Sequence, residues 1–113
     1  MGRLALVVSI VAVLGTAFAA VALANNLDRN TAQAALKTVA KKDCHATSGC
    51  ESYKAEPVHL ITVHKAAGHI HVISHKNGER FDCRRAVVLR LNHYTGDITY
   101  TVGRRKCTDL GPQ

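Results

Sequence analysis

The sequence predicts an α+β fold: an apolar N-terminal helix, then one helix packed on a four-stranded antiparallel sheet (a meander), with two disulfides. Three observations predict it. Residues 25–42 carry an apolar stripe at helical spacing. Residues 58–102 alternate at strand spacing, and four cysteines sit in a chain of 113 residues. A chain of this length builds one core, which excludes multi-domain machinery. Hydrophobic residues at 47% and charged residues at 20% exclude an intrinsically disordered chain. With 15 Lys+Arg against 8 Asp+Glu, the formal charge is +7.

Residues 1–24 differ from the rest. Arg3 is their only charge, and the run Leu4–Ala24 has none. Two readings stay open. A secretory signal needs a basic start, an apolar stretch and a small-residue cleavage site, which Ala17-Phe18-Ala19 or Ala22-Leu23-Ala24 supplies. A retained membrane anchor needs about 20 apolar residues. Both readings export residues 25–113 as a single domain, because Arg3 favours a cytoplasmic start. The expected location is periplasmic or extracellular, or anchored in the membrane with the C-terminal domain outside.

Export suits the cysteines. In an oxidising compartment, four cysteines in a small domain read as a disulfide framework with three possible pairings. A local Cys44–Cys50 bridge closes easily across Cys-His-Ala-Thr-Ser-Gly-Cys and leaves Cys83 with Cys107, stapling two strands. Zinc is disfavoured, because the spacing is not Cys-x2-Cys.

The elements follow in order. Asn25–Lys42 is a helix with Ala32, Ala35, Leu36, Val39 and Ala40 on one stripe, capped by Asp28 or Asn30. Residues 43–57 read as loop. Val58–Lys65 and His69–Lys76 are strands joined by Ala66-Ala67-Gly68, and Asn77-Gly78 marks a type I′ hairpin. That turn sets Lys76 opposite Glu79, His75 opposite Arg80, Val72 opposite Cys83 and Ile70 opposite Arg85. Strand three, Glu79–Asn92, puts Phe81, Cys83, Val87, Leu89 and Leu91 on one face. After the turn Tyr94-Thr95-Gly96-Asp97, strand four presents Ile98, Tyr100 and Val102 inward. A bulge at Gly103 would bring Cys107 to the Cys83 face.

Histidines and cations carry the surface chemistry. His69, His71 and His75 share one strand face and read as outward, solvated positions. A cross-strand His64–His71 pair, with His75 nearby, is the weak metal candidate; no cofactor is otherwise implied. Arg84 and Arg85 neighbour Arg104, Arg105 and Lys106 in an antiparallel pair, and Arg80 and Arg90 extend that cluster along the sheet. Clustered cations attract anions. The expected partner is an anionic protein, a lipid or membrane surface, or a cell-envelope polymer. Nucleic acid is disfavoured because aromatic stacking platforms are few. A small secreted ribonuclease is an alternative, using Lys65, His71 and His75, but Glu51 and Glu56 fall in the predicted loop.

Strand three, Thr95-Gly96-Asp97-Ile98 and strand four resemble the closing hairpin of PepSY-type domains, over about twenty residues. That resemblance implies an exported or tethered domain that binds or restrains a partner protein. The order helix then four strands is similar to cystatin-like rolls. An apolar N-terminus followed by helix, sheet and C-terminal disulfide also resembles pilin-like subunits, which implies self-association through a retained apolar helix. The pilin leader and its acidic residue are missing here: Gly2 is followed by Arg3, Leu4, Ala5, Leu6 and Val7. The expectation is a non-enzymatic accessory domain that docks an anionic partner on a basic sheet surface.

Overall fold

The helix starts at Asp28. In the computed structural model, which describes residues 16–18 and 26–112, the Asp28 backbone is extended and its carboxylate accepts from the Thr31 N–H at 2.7 Å. That backbone hydrogen bond caps the helix and holds the Asp28 carboxyl below its ordinary pKa. Helix α1 therefore spans Arg29–His45, starting after the predicted Asn25. It also passes the predicted end at Lys42, because Asp43 and Cys44 are tied to the sheet and to Cys50. The apolar stripe is as predicted: Ala32, Ala35, Leu36, Val39 and Ala40 are all buried.

The strands are β1 (Thr16–Phe18), β2 (Cys50–Ala55), β3 (His59–Thr62), β4 (Lys65–Lys76), β5 (Glu79–Leu91), β6 (Ile98–Val102) and β7 (Lys106–Pro112). All pair antiparallel in one sheet. The predicted signal or anchor lies outside the described residues, apart from β1, which is extended and pairs with β6. Among the described residues no helix is long and apolar enough to cross a membrane.

The β4–β5 hairpin is the centre of the sheet. Asn77 and Gly78 take positive φ (54° and 82°), as a type I′ turn requires. The pairs Lys76–Glu79, His75–Arg80, Val72–Cys83 and Ile70–Arg85 all form. Each outer edge of this hairpin carries two strands, so residues 50–112 supply six strands where four are predicted. β2 and β3 flank β4, and β6 and β7 flank β5.

Bulges cause the extra breaks. Between β2 and β3 the register slips by one residue opposite Gly68, at Glu56, Pro57 and Val58. Pro57 has no N–H for a ladder, so a bulge suits it. The freed backbone groups go to the helix. The Gln33 side chain donates to the Glu56 carbonyl (3.0 Å) and accepts from the Val58 N–H (2.8 Å), while Arg29 donates to the Val58 carbonyl (3.0 Å). On the opposite edge, Arg104 and Arg105 stand against Arg85 alone, just beyond Gly103. This one-residue slip puts Cys107 opposite Cys83. The bridges are Cys44–Cys50 and Cys83–Cys107, and no described cysteine is free.

Two predicted loops are corrected. Residues 43–57 hold the helix end and strand β2, whose Tyr53 and Ala55 pack on the core. Ala66-Ala67-Gly68 lies inside β4, and the chain turns instead at Val63-His64 between β3 and β4. Gly68 is needed for close packing rather than for turning. A Cβ there would come within 2.5 Å of the Leu36 Cδ2 atom. The core lies between α1 and one sheet face: Leu36, Val39, Ile70, Val87, Leu89, Ile98 and Tyr100 cluster there, with Val102 at the margin. Val72 is also buried, and Phe81, predicted inward, is half-buried.

Candidate functional site

Strand alternation sends the other side chains of β4 and β5 to the face away from the helix. Among the described residues no element lies over that face. Cross-strand pairing builds one row across four strands: Lys54 on β2, His71 on β4, Arg84 on β5 and Lys106 on β7. At about 4.8 Å per strand, Lys54 and Lys106 stand roughly 14 Å apart.

Carboxylates fill the gaps in this row. The His71 Nε2 atom meets the Glu56 Oε2 atom at 2.5 Å, and its Nδ1 atom meets the Asp82 Oδ1 atom at 2.9 Å. Arg84 donates to both Glu56 oxygens through Nε (2.7 Å) and Nη2 (2.9 Å), the bidentate geometry that suits a guanidinium. These hydrogen bonds, from Arg84 first and then His71, hold the Glu56 carboxyl at about 2. One turn of the pleat further on, Glu51 meets the His75 Nε2 atom at 2.9 Å and accepts from Arg80 at 3.2 Å. Glu51 and Glu56 thus clasp the two ends of β2 to β4 and β5. They belong to the strand and its bulge, not to a loop.

The basic residues predicted as one patch separate. Arg85 points to the helix side, where it donates to the Asp43 Oδ1 atom (2.9 Å) and to the Gly103 carbonyl (2.8 Å). The bulge turns Arg105 the same way, onto Asp43 at 3.5 Å and Thr47 at 3.2 Å. Asp43 is 9% exposed, so this cluster holds the helix to the sheet. Arg80 and Arg84 face outward but are tied to Glu51 and Glu56. Arg90, Arg104 and Lys106 are exposed, and their side chains carry no ion pair or hydrogen bond among the described residues. Lys54, which the sequence reading passed over, and Lys65, its ribonuclease candidate, join Arg90 and Lys106 on the open face.

The metal candidate is corrected as well. His64 stands on the β3–β4 turn, stacked 4.7 Å from His93, whereas His71 pairs across strands with Lys54 and Arg84. His64, His71 and His75 do not converge, and no described group of three His, Cys, Asp or Glu side chains is placed to hold a metal. His71 and His75 are half-buried and engaged by acids, which corrects their reading as outward, solvated positions. For catalysis His71 is poorly placed. Both ring nitrogens already face carboxylates, and it lines neither the cleft of about 500 Å³ at the helix C-terminus nor that of about 310 Å³ beside Tyr100.

Fold and face together define a class: a disulfide-stapled α+β domain with one covered and one open, charge-bearing sheet face. Comparison with protein-family models, curated proteins and solved structures returned no match.

Proposed function

We propose that this is an exported, non-enzymatic binding domain whose open sheet face docks an acidic protein surface. The observation that carries the reading is the Lys54–His71–Arg84–Lys106 row, uncovered by any described element and ending in two lysines with no ion pair among the described residues. Glu56 and Asp82 interrupt its positive charge. They would repel a dense polyanion, but they leave room for separate carboxylates spaced to meet Lys54 and Lys106. Patterned charge of this kind sets specificity and association rate more than bare affinity. The two disulfides are consistent with an oxidising compartment outside the cytoplasm. A binding role is also what the PepSY-type resemblance implies.

The test is charge reversal under varied salt. Binding of an acidic peptide of alternating Asp and Ser residues should weaken with ionic strength, and Lys54→Glu with Lys106→Glu should abolish it. Arg104→Glu, off the row, should leave it nearly unchanged. Binding that ignores the Lys54 and Lys106 reversals overturns the reading. RNA cleavage lost on His71→Ala would instead favour the ribonuclease alternative.

A further inference from the structure

One end of the sheet is apolar where it should be polar. Leu60, Ile61 and Val63 are 40%, 53% and 54% exposed, and Tyr94 is 87% exposed. They belong to one tip. The β3–β4 turn carries Val63 and His64, His64 stacks on His93, and His93 lies 4.0 Å from Tyr94. The Leu91 N–H also donates to the His64 carbonyl, joining the two turns.

Two cations stand at the base of this tip. Lys65 and Arg90 are directly opposite on β4 and β5, on the open face. Like charges in that position repel. Neither side chain has an acidic partner among the described residues. Asp28 and Asp97 are the acids at this end.

The described part of the apolar N-terminal run, Thr16–Phe18, meets the domain at this same end, as does Leu27. The Leu27 N–H donates to the Val63 carbonyl at 2.7 Å, and Thr16–Phe18 pairs with Ile98 and Thr99 beside Arg90 and Leu91. We infer that this tip docks on an anionic phospholipid bilayer. Leu60, Ile61, Val63 and Tyr94 enter the interface, and Lys65 and Arg90 bind headgroup phosphates. β3 is an edge strand with a bulge between Leu60 and Thr62, and Leu60, Ile61 and Val63 are all exposed there. The tip is therefore a protruding apolar wedge. A fluid bilayer surrounds a wedge on all sides, and a tyrosine at its rim suits the headgroup level.

The chain has no tryptophan, which makes the test direct. Val63→Trp and Tyr94→Trp place single reporters on the tip of the full chain. Leu110→Trp places one on β7, at the opposite, Asn77-Gly78 end of the sheet. With vesicles containing phosphatidylglycerol, the tip reporters should shift to the blue and be quenched by lipids brominated in their acyl chains. Leu110→Trp should do neither, and Lys65→Glu with Arg90→Glu should remove the quenching. Tip reporters that stay red and unquenched with vesicles overturn the inference. So do reporters already blue without lipid, since a second copy or the chain's own apolar run would then cover the tip. Neither result bears on Lys54 and Lys106, so this inference and the docking face fail separately.

Discussion

Glu56 joins three parts of the molecule: its backbone sits in the bulge clamped by Gln33, and its carboxylate holds His71 and Arg84. Held at about 2 against an ordinary 4.5, it stabilises the fold above the unfolded value. That contribution disappears as pH falls from about 4.5 to about 2. It is modest, because the side chain is about a third exposed and water screens it. Glu56→Gln should therefore lower stability near neutrality and flatten the fall in stability between about pH 4.5 and 2. Urea unfolding across that range measures it, and an unchanged slope would show that Glu56 is not so held. Gly68→Ala tests packing. The new methyl has 2.5 Å to the Leu36 Cδ2 atom, and Leu36 is fully buried. Overpacking of this kind costs about 1–3 kcal/mol. Leu36→Val in the same chain should recover part of the loss, so the two changes should not add; strict additivity in a double-mutant cycle contradicts the contact.

At the scale of elements, the helix holds the bulges that divide β2 from β3 and β6 from β7. Gln33 satisfies a carbonyl and an N–H freed at Glu56 and Val58, so Gln33→Ala leaves them unmet at about 1–3 kcal/mol. Thermal unfolding reads the loss, and a neutral result would mean that the bulge holds itself. The disulfides should differ. Cys83–Cys107 has a sequence separation of 24 and Cys44–Cys50 one of 6, so loop-closure entropy assigns them roughly 3.4 and 2.2 kcal/mol. Paired Cys→Ser variants should rank in that order in urea unfolding. Much at this scale was legible. The Asn77-Gly78 turn set the central register, the apolar stripe set the buried helix face, and Gly103 marked the bulge that aligns Cys107. The β2–β3 bulge was not legible. Polar residues 43–57 look like loop, and Gly68 looks like a turn when it is a packing position under Leu36. Pro57 was the available signal, since a proline beside a strand often marks a bulge.

At the scale of the molecule, parity along the strands separates cations that close neighbours in the chain seem to share. Arg84 and Arg85 are adjacent, yet one faces the open side and the other holds Asp43 beneath the helix. A sequence shows that clustering but not the acids that neutralise it, because Asp43, Glu51 and Glu56 come from segments far along the chain. The proposed docking face is thus narrower than the charge count suggests, and Lys54 and Lys106 bound it. The most direct measurement is backbone amide shift mapping of the intact, disulfide-bonded chain titrated with the Asp-Ser peptide. The predicted result is a perturbed band across Lys54, His71, Arg84 and Lys106, with Arg85, Arg105 and helix α1 silent. Shifts centred on the helix side, or none on that band at low salt, would contradict the account.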